Sequence, residues 1–346
     1  MSAISRRQLL LSLPAFAMAP RALAAQPAPP PIRVRTLNHF RLAVSDPKRS
    51  IEFYQGLFGM PIQARSGPTT LLRVGAGPQF ISIAPAGNAA PRIDHFCLGI
   101  DGFNIDRIMA ALAAHGVAKD EAAVAMKATV TLRGPNAAGA KQGTPDLFFG
   151  DPDGIVCQLQ DASYCGGSGP LGNVCAAPEA PPAKGVLALR DLSHLTIFST
   201  DSQRSNTFYQ DLFGLPIRSY QGPTAPTLAV GTVGFLMFTG GGGGARGGVP
   251  AAAPRPASIN HGCFTMDGFK PAEVTKALES YGLKPREGAA GPAGPLRHYI
   301  SMRMENRGGA PGGTPELYFT DPDGLLMQLQ DAAYCGGGGF LGDVCK

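Results

Sequence analysis

GTPDLFFGDPDGIVCQLQDASYCGGSGPLGNVC, from Gly143 to Cys175, returns as GTPELYFTDPDGLLMQLQDAAYCGGGGFLGDVC from Gly313 to Cys345, identical at 23 of 33 positions. Self-similarity of that length means one unit built twice. Working back along the chain, SIEFYQGLFGMPI (Ser50 to Ile62) returns as SNTFYQDLFGLPI (Ser205 to Ile217), and RIDHFCLGIDGF returns as SINHGCFTMDGF. The offset between copies grows from 155 to 166 to 170, which places two insertions in the second copy, one of them the Gly- and Pro-rich loop from Gly240 to Pro256. The Pro-rich stretch at 176–187 links the copies, giving a first domain over 35–175 and a second over 188–346.

Each copy reads as two β-α-β-β-β units, an α+β chain with one helix per four strands. LNHFRLAV alternates as a strand, Asp46-Pro47 supplies an N-cap and a first-turn proline, and the helix through IEFYQGLF stops at Gly59. TTLLRV and QFISIA follow as short strands. IDHFCLGI opens the second unit, IDRIMAALAAHG is its helix, and MKATVTLR, DLFF and IVCQLQ complete it after the Asp-Gly turn of DPDG. The second copy repeats the order with HLTIFS, INHGCFTM, PAEVTKALESYG and LLMQLQ.

Gly and Pro, 46 and 32 of 346 residues, make up nearly a quarter of the chain, which favours short elements over long helices. The net charge of +5 includes Arg6, Arg7 and Arg21, so the rest of the chain carries only +2. Basic runs with interleaved aromatics are missing, and nucleic acid is excluded as a partner.

SRRQLLLSLPAFAMA pairs two arginines with an apolar run too short to span a bilayer, so there is no transmembrane segment. With Ala22-Leu-Ala24 as a cleavage site, residues 1–24 resemble a twin-arginine export signal of bacteria. The expectation is a periplasmic or secreted protein, exported folded, with residues 25–34 as a flexible lead. In that compartment the equal ten-residue spacing of Cys165 with Cys175 and of Cys335 with Cys345 reads as two local disulfides. Cys97, Cys157 and Cys263 are left as free thiols.

HFRLAVSDPKRSIEFYQGLFG followed by GTPDLFFGDPDGIVCQLQ resembles the vicinal oxygen chelate superfamily, which groups glyoxalases, extradiol dioxygenases, fosfomycin-resistance transferases and bleomycin-binding proteins. The resemblance spans both copies, and it implies paired βαβββ modules whose mixed sheets curl around an open cleft holding one divalent metal. Carried over residue by residue, the metal positions are His39, His95 and Gln158 in the first copy and His194, His261 and Gln328 in the second. Family members usually have glutamate where both copies have glutamine. Two imidazoles and a carboxylate form the facial triad of non-haem iron sites. An amide oxygen can take the same position but brings no charge, so the ion keeps its full +2 and is held less tightly. The bland alternative is that the glutamines are structural amides.

Other positions are candidates for a substrate pocket. Cys97 and Cys263 lie two residues beyond His95 and His261, on the same strand face, as pocket lining, soft ligands or plain filler. Gln160 and Gln330 share the face of Gln158 and Gln328. Arg41 is replaced by Thr196 in the second copy, and His298 answers to Ala128, so one cleft can be active and the other altered. The reading is a metal-dependent dioxygenase, lyase or isomerase acting on a small oxygen-chelating substrate, with Fe(II), Mn, Ni and Zn all admissible. The rival is a metal-free protein that sequesters a small molecule, as the bleomycin-binding relatives do.

Overall fold

The structure is a computed structural model that describes residues 29–240, 256–288 and 291–345. The expected export signal, residues 25–28 of the lead and most of the Gly-rich loop therefore lie outside the described residues. The first half runs β1 (Val34–Val44), α1 (Pro47–Phe58), β2 (Ile62–Ser66), β3 (Thr69–Arg73), β4 (Phe80–Pro85), then β5 (Arg92–Ile100), α2 (Ile105–Ala114), β6 (Ala118–Lys119), β7 (Lys127–Arg133), β8 (Thr144–Gly150) and β9 (Val156–Asp161). The second half repeats it as β10 (Asp191–Ser199), α3 (Ser202–Phe213), β11 (Ile217–Tyr220), β12 (Pro226–Val230), β13 (Gly234–Gly240), β14 (Ser258–Met266), α4 (Pro271–Ser280), β15 (Lys284–Pro285), β16 (Arg297–Arg303), β17 (Thr314–Thr320) and β18 (Leu326–Asp331). The two units of each half join through their first strands, β1 antiparallel to β5 and β10 antiparallel to β14. The result is two mixed nine-stranded sheets, ordered β2-β3-β4-β1-β5-β9-β8-β7-β6 and its repeat, neither closed on itself. The expected α+β architecture of paired modules is observed.

Local chemistry sets the helix ends as the sequence predicts. Asp46 caps α1 by accepting from the Arg49 N–H, and Gly59 ends it in the left-handed region at φ 63°. Asp201 and Gly214 do the same for α3. Strand alternation then splits each sheet into two faces. One carries the apolar residues Phe40, Leu42, Phe96, Leu98, Cys157 and Leu159, and Leu195, Ile197, Phe264, Met327 and Leu329 join them in one buried cluster drawn from both halves.

The first helix of each half lies on its own sheet and presents aromatic side chains to the other half. Phe53 and Phe58 of α1 lie against Phe319 of the second sheet at ring separations of 6.4 and 5.6 Å. Reciprocally, Phe213 of α3 lies 6.2 Å from Phe149 of the first. Phe40 meets Phe264 across the middle at 5.8 Å, where the backbone comes so near that a Cβ on Gly262 would stand 2.6 Å from the Phe40 ring. Both predicted disulfides are formed, Cys165 to Cys175 and Cys335 to Cys345, while Cys97, Cys157 and Cys263 are free and buried.

Candidate metal centre

The face of each sheet turned away from the common core carries the candidate ligands. In β1 a bulge falls at Asn38, immediately before His39, and in β5 another falls at Asp94, immediately before His95. A bulge adds one unpaired residue and re-aims its neighbour. Here the extra residue's side chain reaches the histidine behind it. His39 Nδ1 donates to Asn38 Oδ1 at 2.8 Å, and His95 Nδ1 lies 3.1 Å from Asp94 Oδ2. The second half repeats the device, with bulges at Ser193 and Asn260. Ser193 Oγ stands 3.1 Å from His194 Nδ1, and His261 Nδ1 donates to Asn260 Oδ1 at 2.8 Å. An acceptor on Nδ1 selects the tautomer whose Nε2 carries the lone pair.

Those Nε2 atoms converge on the closing-strand glutamine. Parallel pairing of β14 with β18 sets Cys263 beside Gln328. Gln328 Oε1 lies 3.1 Å from His194 Nε2 and 2.9 Å from His261 Nε2. In the first half, Cys97 sits beside Gln158 in the same register, and Gln158 is within hydrogen-bonding reach of both imidazoles. Its amide nitrogen lies 3.5 Å from Asp146 Oδ1, which leaves the oxygen for the imidazoles. All six side chains are buried, between 1% and 5% exposed. Burial is the main cause that pushes every one of the four imidazoles below its ordinary value, His261 to about 4, so all are neutral at neutral pH.

Aromatic rings hold the imidazoles in place. His39 stacks on Phe80 at 4.3 Å with Tyr164 at 5.9 Å, and His194 stacks on Phe235 at 4.2 Å with Tyr334 at 5.5 Å. His95 meets the edge of Phe148, and His261 that of Tyr318, both at 5.3 Å. Tyr164 and Tyr334 directly precede the bridged cysteines, so each disulfide loop delivers a tyrosine to the site. Arg133 donates to the Gly166 and Gly167 carbonyls of the first loop and pairs with Asp146 at 3.1 Å. Arg303 and Glu316 repeat this at 2.8 Å with no exposed surface on the arginine.

The remaining predicted positions divide. Cys97 and Cys263 are buried on the ligand side, paired across the sheet with His39 and His194. Gln160 donates to Asp146 at 2.7 Å and Gln330 to the Pro315 carbonyl at 3.4 Å, and the side-chain oxygen of each is buried without a partner. Arg41 pairs across the sheet with His95 and belongs to the first site, as Thr196 opposite His261 belongs to the second. His298 is not brought to the cluster: it faces Glu279 of α4 at 3.3 Å. Asn38, Asp94, Ser193 and Asn260 were not among the sequence candidates, nor were Asp146 with Arg133 and Glu316 with Arg303. Their signal was available, since each candidate histidine follows a small polar acceptor, in NH, DH, SH and NH. A cleft of about 730 Å³ between the halves, bordered by Met60, Arg73, Arg190 and Asp267, contains none of the candidate ligands.

Among the described residues no three His, Cys, Asp or Glu side chains cluster as a metal site, so an ion here depends on the amide as third donor. The donor set fits one. Two imidazole Nε2 atoms and an amide oxygen face each other within 3.1 Å in the second site, three donor atoms placed for one ion.

Comparison with known proteins agrees with the fold. Residues 36–159 match the model of the Glyoxalase/Bleomycin resistance protein/Dioxygenase superfamily. No curated protein sequence matches the chain. Among solved structures, the Mn(II)-bound glyoxalase from Novosphingobium aromaticivorans is similar with a TM-score of 0.55 at 17% identity, over 86% of this chain and 82% of that one. The 2,3-dioxygenase LapB from a Pseudomonas species gives 0.56 at 15%, over 86% and 92%. Homoprotocatechuate 2,3-dioxygenase from Arthrobacter globiformis gives 0.55 at 16%, over 88% and 81%. Residues 36–159 are thus similar to the Glyoxalase/Bleomycin resistance protein/Dioxygenase superfamily, and the second half of the chain repeats their sequence and topology.

Proposed function

We propose that this is an exported, metal-dependent enzyme of the vicinal oxygen chelate type, with one divalent ion on His39, His95 and Gln158 and another on His194, His261 and Gln328. A divalent ion held by three neutral donors supplies Lewis acidity to two oxygens of a small chelating substrate. The protein's own part is to fix the donors. Asn38, Asp94, Ser193 and Asn260 hold the Nδ1 positions, the stacked rings hold the imidazole planes, and burial keeps the imidazoles unprotonated. The observation that carries the reading is the orientation of Gln158, whose nitrogen faces the Asp146 carboxylate so that its oxygen faces the imidazoles. Export is supported by the paired arginines of the first 24 residues and by the two disulfides. No helix among the described residues is long and apolar enough to cross a membrane.

A second reading has its own observation. Gln328 Nε2 is buried with no partner. Turned over, that amide would donate one N–H to each Nε2 and satisfy the second site without an ion, as in a metal-free binding protein. Metal analysis of protein purified from its own periplasm decides between them. The enzyme reading expects up to two divalent ions per chain, one of which is lost in His95→Ala. Native protein without stoichiometric metal would falsify it in favour of ligand sequestration.

A further inference from the structure

The two sites have the same ligands and different surroundings, and the difference is one of charge. In the first, Arg41 lies on the ligand face two residues past His39, across the sheet from His95 on one side and Ser82 on the other. Its charge is felt at His39, His95 and Asp94. Its Nε is buried without a hydrogen-bond partner, and among the described residues no carboxylate lies within ion-pair distance of its guanidinium. The carboxylates nearby are engaged elsewhere, Asp94 by Arg92 and His95 and Asp146 by Arg133. Counting side chains around the first site, Arg41, Arg92 and Arg133 against Asp94 and Asp146 leave one positive charge over. In the second site Thr196 replaces Arg41, Met237 replaces Ser82 and Asn260 replaces Asp94. Arg303 and Glu316 balance there, and nothing is left over.

A half-buried guanidinium with an unmet donor is costly unless something binds it. It offers a planar fork of N–H groups that matches a carboxylate. We propose that the first site takes a carboxylate-bearing small molecule, its anionic group held by Arg41 beside the imidazoles, and that the second takes a ligand without that charge. The inference rests on reading the two clusters as ligand sites, but not on the presence of metal in them.

The test uses two probes with the same chelating hydroxyls, catechol and 3,4-dihydroxybenzoate, and benzoate as a third that does not chelate. Binding is measured by calorimetry on the full mature chain, as purified and after chelator treatment. The wild type is expected to bind 3,4-dihydroxybenzoate at least ~10-fold tighter than catechol at one of its two sites, the size of one charge-assisted hydrogen bond. Arg41→Met, which keeps the stem, should abolish that preference and benzoate binding. Arg41→Lys keeps the charge without the fork and should retain part of the preference. The proposal is overturned if the wild type does not prefer the carboxylate, or if Arg41→Met keeps the preference. Absence of metal, by contrast, ends only the metal reading, because the benzoate comparison in chelator-treated protein still reports on Arg41.

Discussion

Each candidate histidine is oriented by the residue before it. At His39, His95, His194 and His261 that residue is the extra one of a bulge, and its side chain fixes the tautomer. The four differ in charge, since Asp94 is a carboxylate where Asn260 is an amide. The His95 and Arg92 neighbours hold the Asp94 carboxyl down at about 2, so it is ionised throughout the physiological range. A carboxylate on Nδ1 raises the basicity of the imidazole toward a cation, returning at one remove the charge that Gln158 lacks. Asp94→Asn should weaken divalent-metal binding at the first site by ~10-fold or more, and Asn260→Asp should strengthen it at the second. Competition against a chromophoric chelator measures both. Unchanged affinity in both variants would leave the Nδ1 partners with a purely packing role.

At the scale of elements, the DPDG turns do more than reverse the chain. Asp153 accepts from the Thr200 N–H and pairs with Arg204 at the start of α3, and Asp323 accepts from the Ser45 N–H and pairs with Arg49 at the start of α1. Each turn thus clamps the other half's first helix. The first aspartate of the turn is more deeply buried. Asp151 Oδ1 accepts from the Asp153 and Ile155 N–H groups, and Oδ2 faces the Tyr209 hydroxyl at 3.4 Å. Burial outweighs these bonds and pushes the carboxyl up to about 6, as it does for Asp321. A folded-state pKa above the unfolded one means that the group's contribution to stability is fully present below about pH 4 and is lost as pH rises through about 6. Asp151→Asn keeps the Oδ1 bonds and never ionises. It should therefore stabilise the protein by ~1–3 kcal/mol at pH 7.5 and by little at pH 4. Urea unfolding at the two pH values checks this, and an equal effect at both would refute the burial account.

For the whole molecule, the main apolar cluster is common to both sheets. α1 lies on β3 and β4 of its own sheet and reaches the second through Phe53 and Phe58, α3 lies on β10, β12 and β13 and reaches the first through Phe213, and Phe40 and Phe264 meet between them. Phe40→Ala should cost about 3–5 kcal/mol, the range for a large buried aromatic. Because the cluster is common, the loss should appear as a lower Tm in a single calorimetric transition for the whole chain. Two separated transitions, with only the first half destabilised, would show that the halves are independent after all.

The sequence by itself determined the duplication, the element order and both disulfides, because strand, helix and turn signals and ten-residue loops are local, whereas the six candidate ligands, spread over three strands in each half, were implied by the family resemblance. Strand alternation puts His39 and Arg41 on one face, Gly59 and Gly214 stop helices, and ten-residue loops bring cysteine pairs together. Tertiary structure alone decided which strands join the two units of each half, which helix aromatics reach the other half, and which way His298 turns. It also recruited the disulfide loops into the sites, through Tyr164 and Tyr334. Bulges have no period to read, and a contact such as Tyr209 with Asp151 spans 58 residues. Register between distant segments is fixed by packing the whole, and no window of sequence contains it.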